Sequence, residues 1–448
     1  MKLILNTFLI ILMFFSLGLT QDLPAGDAAL GTKTYDQYET PQSCKSCHTD
    51  FYEQWTQSMM SQAYTHHWDE IEYFKLAVPH AEKDEMVADV KAGCNGCHAP
   101  MAFMAGKVPP PRPEENTRAN EAVACDICHT IKGADGDVVF NYNYISNPGR
   151  VKYGNKEGKS SPHHDTQYLE FTTTPKLCGT CHNEKSPYDV WVKSTQLEWE
   201  QGPYAEEGVY CHDCHMPKFE GQNAKMAKTE LISQHYFPGG HVPAKLNGVV
   251  EMVIYPLERE VPYDVPVQLK VQLYNAKAGH KFPTGSVEDR IVWLHVTATD
   301  AEGNSYHLPV DEKGFEGEEY TIAADVLAYQ DMGLPLEIPD FKGVQRDGVP
   351  IGDRIFRMPY FDPQGRMTIM QWNTKSQGVD YRIGPRETKS ESFTWTMPDD
   401  IPVGKITFKA DLYYSLLVKP VADFLEVPEE ESKPFLVNSA TTWIEVYD

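Results

Sequence analysis

Hydrophobic and polar positions along the chain fall into three regimes. Residues 3 to 17 are almost uninterruptedly apolar, follow Lys2, and end at the small residues Gly18 and Thr20 before Gln21. A positive start, an apolar run too short and too broken by Asn6 and Thr7 for a bilayer span, and small residues at its end predict a cleaved signal peptide over residues 1–20. The mature chain is therefore expected in the periplasm or outside the cell. From 21 to 245 apolar residues are scattered. Helical spacing shows only in short stretches, among them Tyr52–His67 and Asp84–Ala92, and the proline-rich run Val108–Glu114 predicts an extended linker. Near Val249 the pattern changes to alternation. Strands are predicted at Val249–Tyr255, Val265–Tyr274, Arg290–Thr299, Arg366–Gln371, Glu391–Met397, Lys405–Tyr414 and Thr441–Val446. Together they predict an all-β, immunoglobulin-like sandwich over residues 246–448. A loop-rich insertion at 311–363, without periodicity, is expected to touch the first half or a partner.

Cysteine placement gives the irregular middle regime its meaning. All ten cysteines lie there, in five copies of Cys-x-x-Cys-His: Cys44/Cys47/His48, Cys94/Cys97/His98, Cys125/Cys128/His129, Cys178/Cys181/His182 and Cys211/Cys214/His215. Two thiols three positions apart reach the two vinyl groups of one porphyrin, and the next residue turns an imidazole onto its iron. Zinc knuckles, redox dithiols or a disulfide framework would not put a histidine after every pair. The pattern thus predicts five covalently attached heme c groups, with their iron, in a mainly helical and irregular domain over 21–245. With roughly 45 residues to cover each porphyrin, the cofactors must replace much of the side-chain core. The second and third motifs start 31 residues apart and the fourth and fifth 33, against 50 and 53 for the other gaps. That spacing suggests two stacked heme pairs, the second with the third and the fourth with the fifth.

Function then turns on the sixth iron ligand. A closed position suits electron transfer, and an open one binds substrate. The distal candidates are one of His163 and His164 in a Ser-Pro-His-His run, and His235 and His241 flanking Tyr236–Gly240. Met60, His66 and His67 follow on the first helical stretch. His280 completes the set; it lies in Gly279–Gly285, where glycines and a proline shape a loop that can aim an imidazole. His295 and His307 read as structural. The 64 acidic against 40 basic residues give a formal charge of −24, which argues against nucleic acid and anionic membranes and favours basic partner surfaces or cations.

The passages around the motifs resemble the multiheme cytochrome c-552/c-554 family, in particular pentaheme members with a C-terminal β domain. The likeness rests on Cys44–His48 with Trp55–Met60, on Glu198-Trp199 leading through Gly202-Pro203-Tyr204 to Cys211–Pro217, on His235–His241 and on Gly279–Gly285. It implies electron transfer between extracytoplasmic redox proteins, with mostly bis-histidine hemes. In some relatives a histidine stands where this chain has Met60. The expected function is an exported pentaheme electron carrier rather than an enzyme. The alternatives are a heme oxidoreductase with one open iron, acting on nitrite, hydroxylamine or sulfite, and a subunit of a cytochrome complex or filament formed by self-association. No further segment is long enough to make it an integral membrane protein.

Overall fold

The computed structural model describes residues 23–311, 318–324, 326–328, 330–346, 348–417 and 419–448. The predicted leader lies outside them. Among the described residues no helix is long and apolar enough to cross a membrane.

Short helices joined by long loops make up the first half. The ones that matter here are α1 (Pro41–Lys45), α2 (Thr49–Thr56), α3 (Val90–His98), α4 (Cys125–Thr130), α5 (Pro175–His182), α6 (Thr195–Glu200) and α7 (Cys211–His215). Two of them carry proline in their first turn, where its missing N–H costs nothing, and α1 is also capped by the Thr40 hydroxyl. Apolar packing is local. One cluster joins Tyr38, Trp55, Met101, Phe103, Ile127 and Tyr144. Glycine inside a motif is dictated by packing: a Cβ on Gly96 would lie 2.3 Å from Cγ of Tyr142.

The second half is β-rich. Its main strands are β1 (Val250–Pro256), β2 (Glu260–Pro262), β3 (Val267–Asn275), β4 (Ile291–Thr299), β5 (Ser305–His307), β6 (Arg354–Ile355), β7 (Thr388–Trp395), β8 (Gly404–Ser415) and β9 (Phe435–Tyr447). One sheet runs β7-β3-β1. The other runs β2-β9-β8-β4-β5, with β6 also on β4. Strict alternation explains the core: Val267, Leu269, Val271 and Leu273 of β3 turn inward to meet Val292, Leu294, Val296 and Phe408 from the opposite sheet. Six expected strands correspond to β1, β3, β4, β7, β8 and β9. The seventh, Arg366–Gln371, does not form, because Asp362 accepts the N–H groups of Gln364 and Arg366 and turns the chain. Only an isolated bridge between Phe361 and Met367 remains there.

The two halves meet on apolar surface. Tyr73, Leu76, Val87 and Val90 of the first pack with Ile291, Trp293, Trp372 and Leu417 of the second, and with Leu327, Met332, Val344 and Val349 from the 311–363 insertion.

Candidate heme-binding cavity

Four of the Cys-x-x-Cys-His motifs lie on a helix with the histidine in its last turn, and in the first the helix α1 ends at Lys45 and a turn leads on to His48. Helices α3, α5 and α7 stop at His98, His182 and His215. All five motifs open onto one continuous cavity of about 3190 Å³, lined by every cysteine and every motif histidine. A small-ligand pocket holds roughly 300–1,000 Å³, so this space has room for several large cofactors.

Hydrogen bonds aim the imidazoles into it. His48 Nδ1 lies 2.5 Å from the Asn223 carbonyl, His98 Nδ1 2.8 Å from Ala63, His129 Nδ1 2.8 Å from Tyr153 and His215 Nδ1 2.6 Å from Pro238. Donation from Nδ1 to a carbonyl leaves Nε2 as the ligating nitrogen, the arrangement usual for metal-bound histidine. His235 and His280 are held in the same way, at 3.0 Å from the Ser233 carbonyl and 2.9 Å from that of Lys281.

Three histidine pairs face each other across the cavity. Metal–imidazole bonds of about 2.0–2.1 Å on both sides of an ion, with each ring centre about 1.1 Å beyond its nitrogen, put facing ring centres roughly 6.2–6.4 Å apart. His48 and His164 are 6.2 Å apart at 29°, His129 and His235 6.4 Å at 21°, and His215 and His280 6.4 Å at 17°. The residues present therefore fit iron held between two imidazoles at three motifs. Burial favours the neutral, metal-binding form of His48, His215, His235 and His280. It lowers His235 to about 4, with His129 adding to the effect, and His215 to about 4, with His280 adding.

The remaining distal candidates are placed otherwise. His163 is exposed, and its carbonyl accepts from Arg150, so of the Ser-Pro-His-His pair His164 alone faces a motif histidine. His66 and His241 meet edge-on at 5.6 Å, and His66 Nε2 lies 3.1 Å from Glu431. His241 lines the cavity and is lowered to about 3 by burial, Arg290 and His66. Met60 lines the cavity beside Trp55, with its carbonyl accepting from Val123. The side chain of His67 lies outside the described residues.

Contacts between cysteines show which motifs are neighbours. Side-chain contacts join Cys44 to Cys125, Cys97 to Cys181 and Cys178 to Cys211. The first motif thus adjoins the third, the second adjoins the fourth, and the fourth adjoins the fifth. Among these contacts the second motif does not meet the third: the helix Pro100–Met104 and the loops and 3₁₀ turns after it carry α4 back to α1. The fourth and fifth do adjoin.

Sequence reasoning missed the groups that hold the His280 loop. Glu198 of α6 is buried, and its carboxylate accepts from Thr284 Oγ1 at 2.6 Å, from the Lys281 N–H at 3.2 Å and from Arg382 at 2.6 Å. Arg382 also donates to Asp380, which takes Lys281 Nζ at 2.6 Å. Burial alone would raise the Asp380 carboxyl, but hydrogen bonding and charge from Arg382, with Lys281, outweigh it and hold the group at about 2. The signal for Glu198 was its place in the Glu-Trp passage. Arg382, from a distant loop, left none. A second, partly buried cation, Lys193, sits between Glu184 (2.7 Å) and Gln371 (2.5 Å) beside the second and fourth motifs.

Comparison with known proteins agrees with this geometry. Residues 43–130 match the family model for cytochrome c554 and c-prime, and residues 162–242 that for the N-terminal region of the NapC/NirT cytochrome c family. No curated protein matches the chain. Among solved structures, a penta-heme cytochrome c552 from Thermochromatium tepidum aligns over 91% of this chain and 99% of its own at 19% identity, with a TM-score of 0.61, which shows a shared fold. The self-complemented MyfA fimbrial subunit of Yersinia enterocolitica aligns over 44% of this chain and 98% of its own at 11% identity and a TM-score of 0.17, too low to bear on the fold.

Proposed function

We propose that this chain, a multiheme c-type cytochrome, binds five heme c groups and passes electrons along them between redox proteins outside the cytoplasm. The observation that carries this reading is the alignment of three histidine pairs at 6.2 to 6.4 Å. Such pairs would hold an iron from both sides, so it could change oxidation state with little ligand movement. In this reading the ten cysteines hold the rings, His48, His98, His129, His182 and His215 are proximal, and His164, His235 and His280 are distal. The heme supplies one-electron chemistry. The protein supplies ligands, burial and a route, supported by the contacts of the third motif with the first and of the fourth with the second and fifth.

The β half, read as an immunoglobulin-like sandwich spanning 246–448, covers the cavity, donates His280 and offers a docking face. Its two sheets on one core support that reading. The acidic chain favours partners with basic docking surfaces. Export through a cleaved leader over 1–20 completes the proposal.

One observation favours a second reading. Lys193, Glu184 and Gln371 form a partly buried polar group beside the second and fourth motifs, suited to orienting a small anion at an open iron. That would make the chain an oxidoreductase acting on nitrite, hydroxylamine or sulfite. Ferric spectra of the purified protein decide between the two. Wholly low-spin iron unaffected by nitrite or hydroxylamine supports the carrier, and a high-spin signal shifted by either supports the enzyme. His280→Ala should convert one low-spin iron to high spin, and an unchanged spectrum would refute its role.

A further inference from the structure

Away from the cavity, the β half gathers three metal-ligating side chains at one point. His295 lies on β4, His307 ends β5, and Asp353 immediately precedes β6. Strand register brings them together: Thr297 of β4 pairs with His307, and Leu294 of β4 pairs with Arg354, so β5 and the residue just before β6 are both delivered to His295. The two imidazoles stack at 5.0 Å and 14°. Each turns a nitrogen to the same carboxylate: His295 Nδ1 is 2.9 and 3.1 Å from the two Asp353 oxygens, and His307 Nε2 is 2.7 Å from one of them. All the ligand atoms lie within 4.8 Å of one another.

The backbone is built to place Asp353. Its N–H donates to Pro350, and Gly352 before it donates to Ile322 and accepts from Val310. Gly352 has φ +95°, and a Cβ there would meet Pro309 Cβ at 2.6 Å, so the turn that delivers Asp353 requires glycine. The carboxylate is fully buried, yet the His307 side chain keeps 33% of its surface exposed, which leaves an approach for an ion and its waters. Asp411, opposite His295 on β8, is taken by Lys409 at 2.8 Å and Ser439 at 2.6 Å, so ligation falls to the other three.

We infer that His295, His307 and Asp353 form a binding site for a divalent first-row transition metal such as Zn²⁺, separate from the heme cavity. Two imidazoles and one carboxylate are a borderline donor set that suits Zn²⁺, Cu²⁺ or Ni²⁺, whereas Ca²⁺ and Mg²⁺ require mostly oxygen. Imidazole-to-carboxylate spacings of 2.7 to 3.1 Å match neighbouring positions in a metal's coordination shell, leaving other positions to water. The ion would tie β4, β5 and the 311–363 insertion together.

The test uses the full-length, heme-loaded protein after treatment with EDTA, titrated calorimetrically with ZnCl₂ alone and with CaCl₂ as the control. One saturable Zn²⁺ site per chain is expected, with no comparable Ca²⁺ binding and a rise in Tm on adding Zn²⁺. His295→Gln with His307→Gln, which keeps size and polarity, should weaken Zn²⁺ binding at least tenfold while leaving the heme spectrum unchanged. No saturable Zn²⁺ uptake by the wild-type protein overturns the inference and leaves a hydrogen-bonded His-Asp-His group. Uptake undiminished in the double variant with normal heme spectra overturns it equally, by placing the ion elsewhere.

Discussion

In the β half, Val267, Leu269, Val271 and Leu273 project from one strand into side chains of the facing sheet, and the space between the sheets is filled by protein. In the first half the corresponding space is a cavity of about 3190 Å³ edged by cysteines and histidines. One region carries its order in its own apolar residues. The other needs a cofactor to complete its interior, and its short helices would be marginal without one. Repetition in the two regions therefore means different things. Alternation every second residue specifies a surface to bury, and a five-residue motif specifies an attachment point whose surroundings lie far away in sequence.

The largest expected effect comes from removing an attachment point. Cys211→Ala with Cys214→Ala should lower the heme content by about one fifth and make the first half readily cleaved by protease, while the β half stays resistant. Mass spectrometry of the intact chain and limited proteolysis check this, and equal sensitivity of both halves would break the comparison. Next comes the seam between them. Arg382→Met leaves Glu198 as a buried carboxylate without its guanidinium, at a cost of about 3–5 kcal/mol by chemical denaturation, and should shift the potential of the iron held by His215.

Leu273→Ala, in the filled core, should cost about 2–5 kcal/mol and leave the heme spectrum unaltered. A smaller effect is expected from pH. Asp380 is depressed to about 2 in the folded chain against about 3.9 unfolded, so the stability it contributes is complete above about pH 4 and is lost as pH falls through about 2. Asp380→Asn should flatten the acid limb of a stability profile in that window, and an unchanged limb would show that the Arg382 contact contributes little.

The same contrast sets what the chain discloses as text. Six of the expected strands are found because each is a local pattern, and the missing one, Arg366–Gln371, failed where the Asp362 side chain bonded the backbone and overrode alternation. Motif positions were equally legible. Motif adjacency was not: spacing of 31 residues suggested that the second and third belong together, whereas Cys97 meets Cys181 and Cys44 meets Cys125. Of the Ser-Pro-His-His pair, the sequence held both histidines equal, and the bonding of His164 near Asp165 and Thr166 with the exposure of His163 separates them. Arg382 was invisible because its partner Glu198 is 184 positions away.

The pairing of His215 with His280 ties the fifth motif to a residue that is synthesised only after that motif. Attachment and ligation are thereby separated in time. A chain interrupted before residue 280 would carry a ring at Cys211 and Cys214 with an incomplete iron, so the colour of that one site would report whether synthesis had reached the β half.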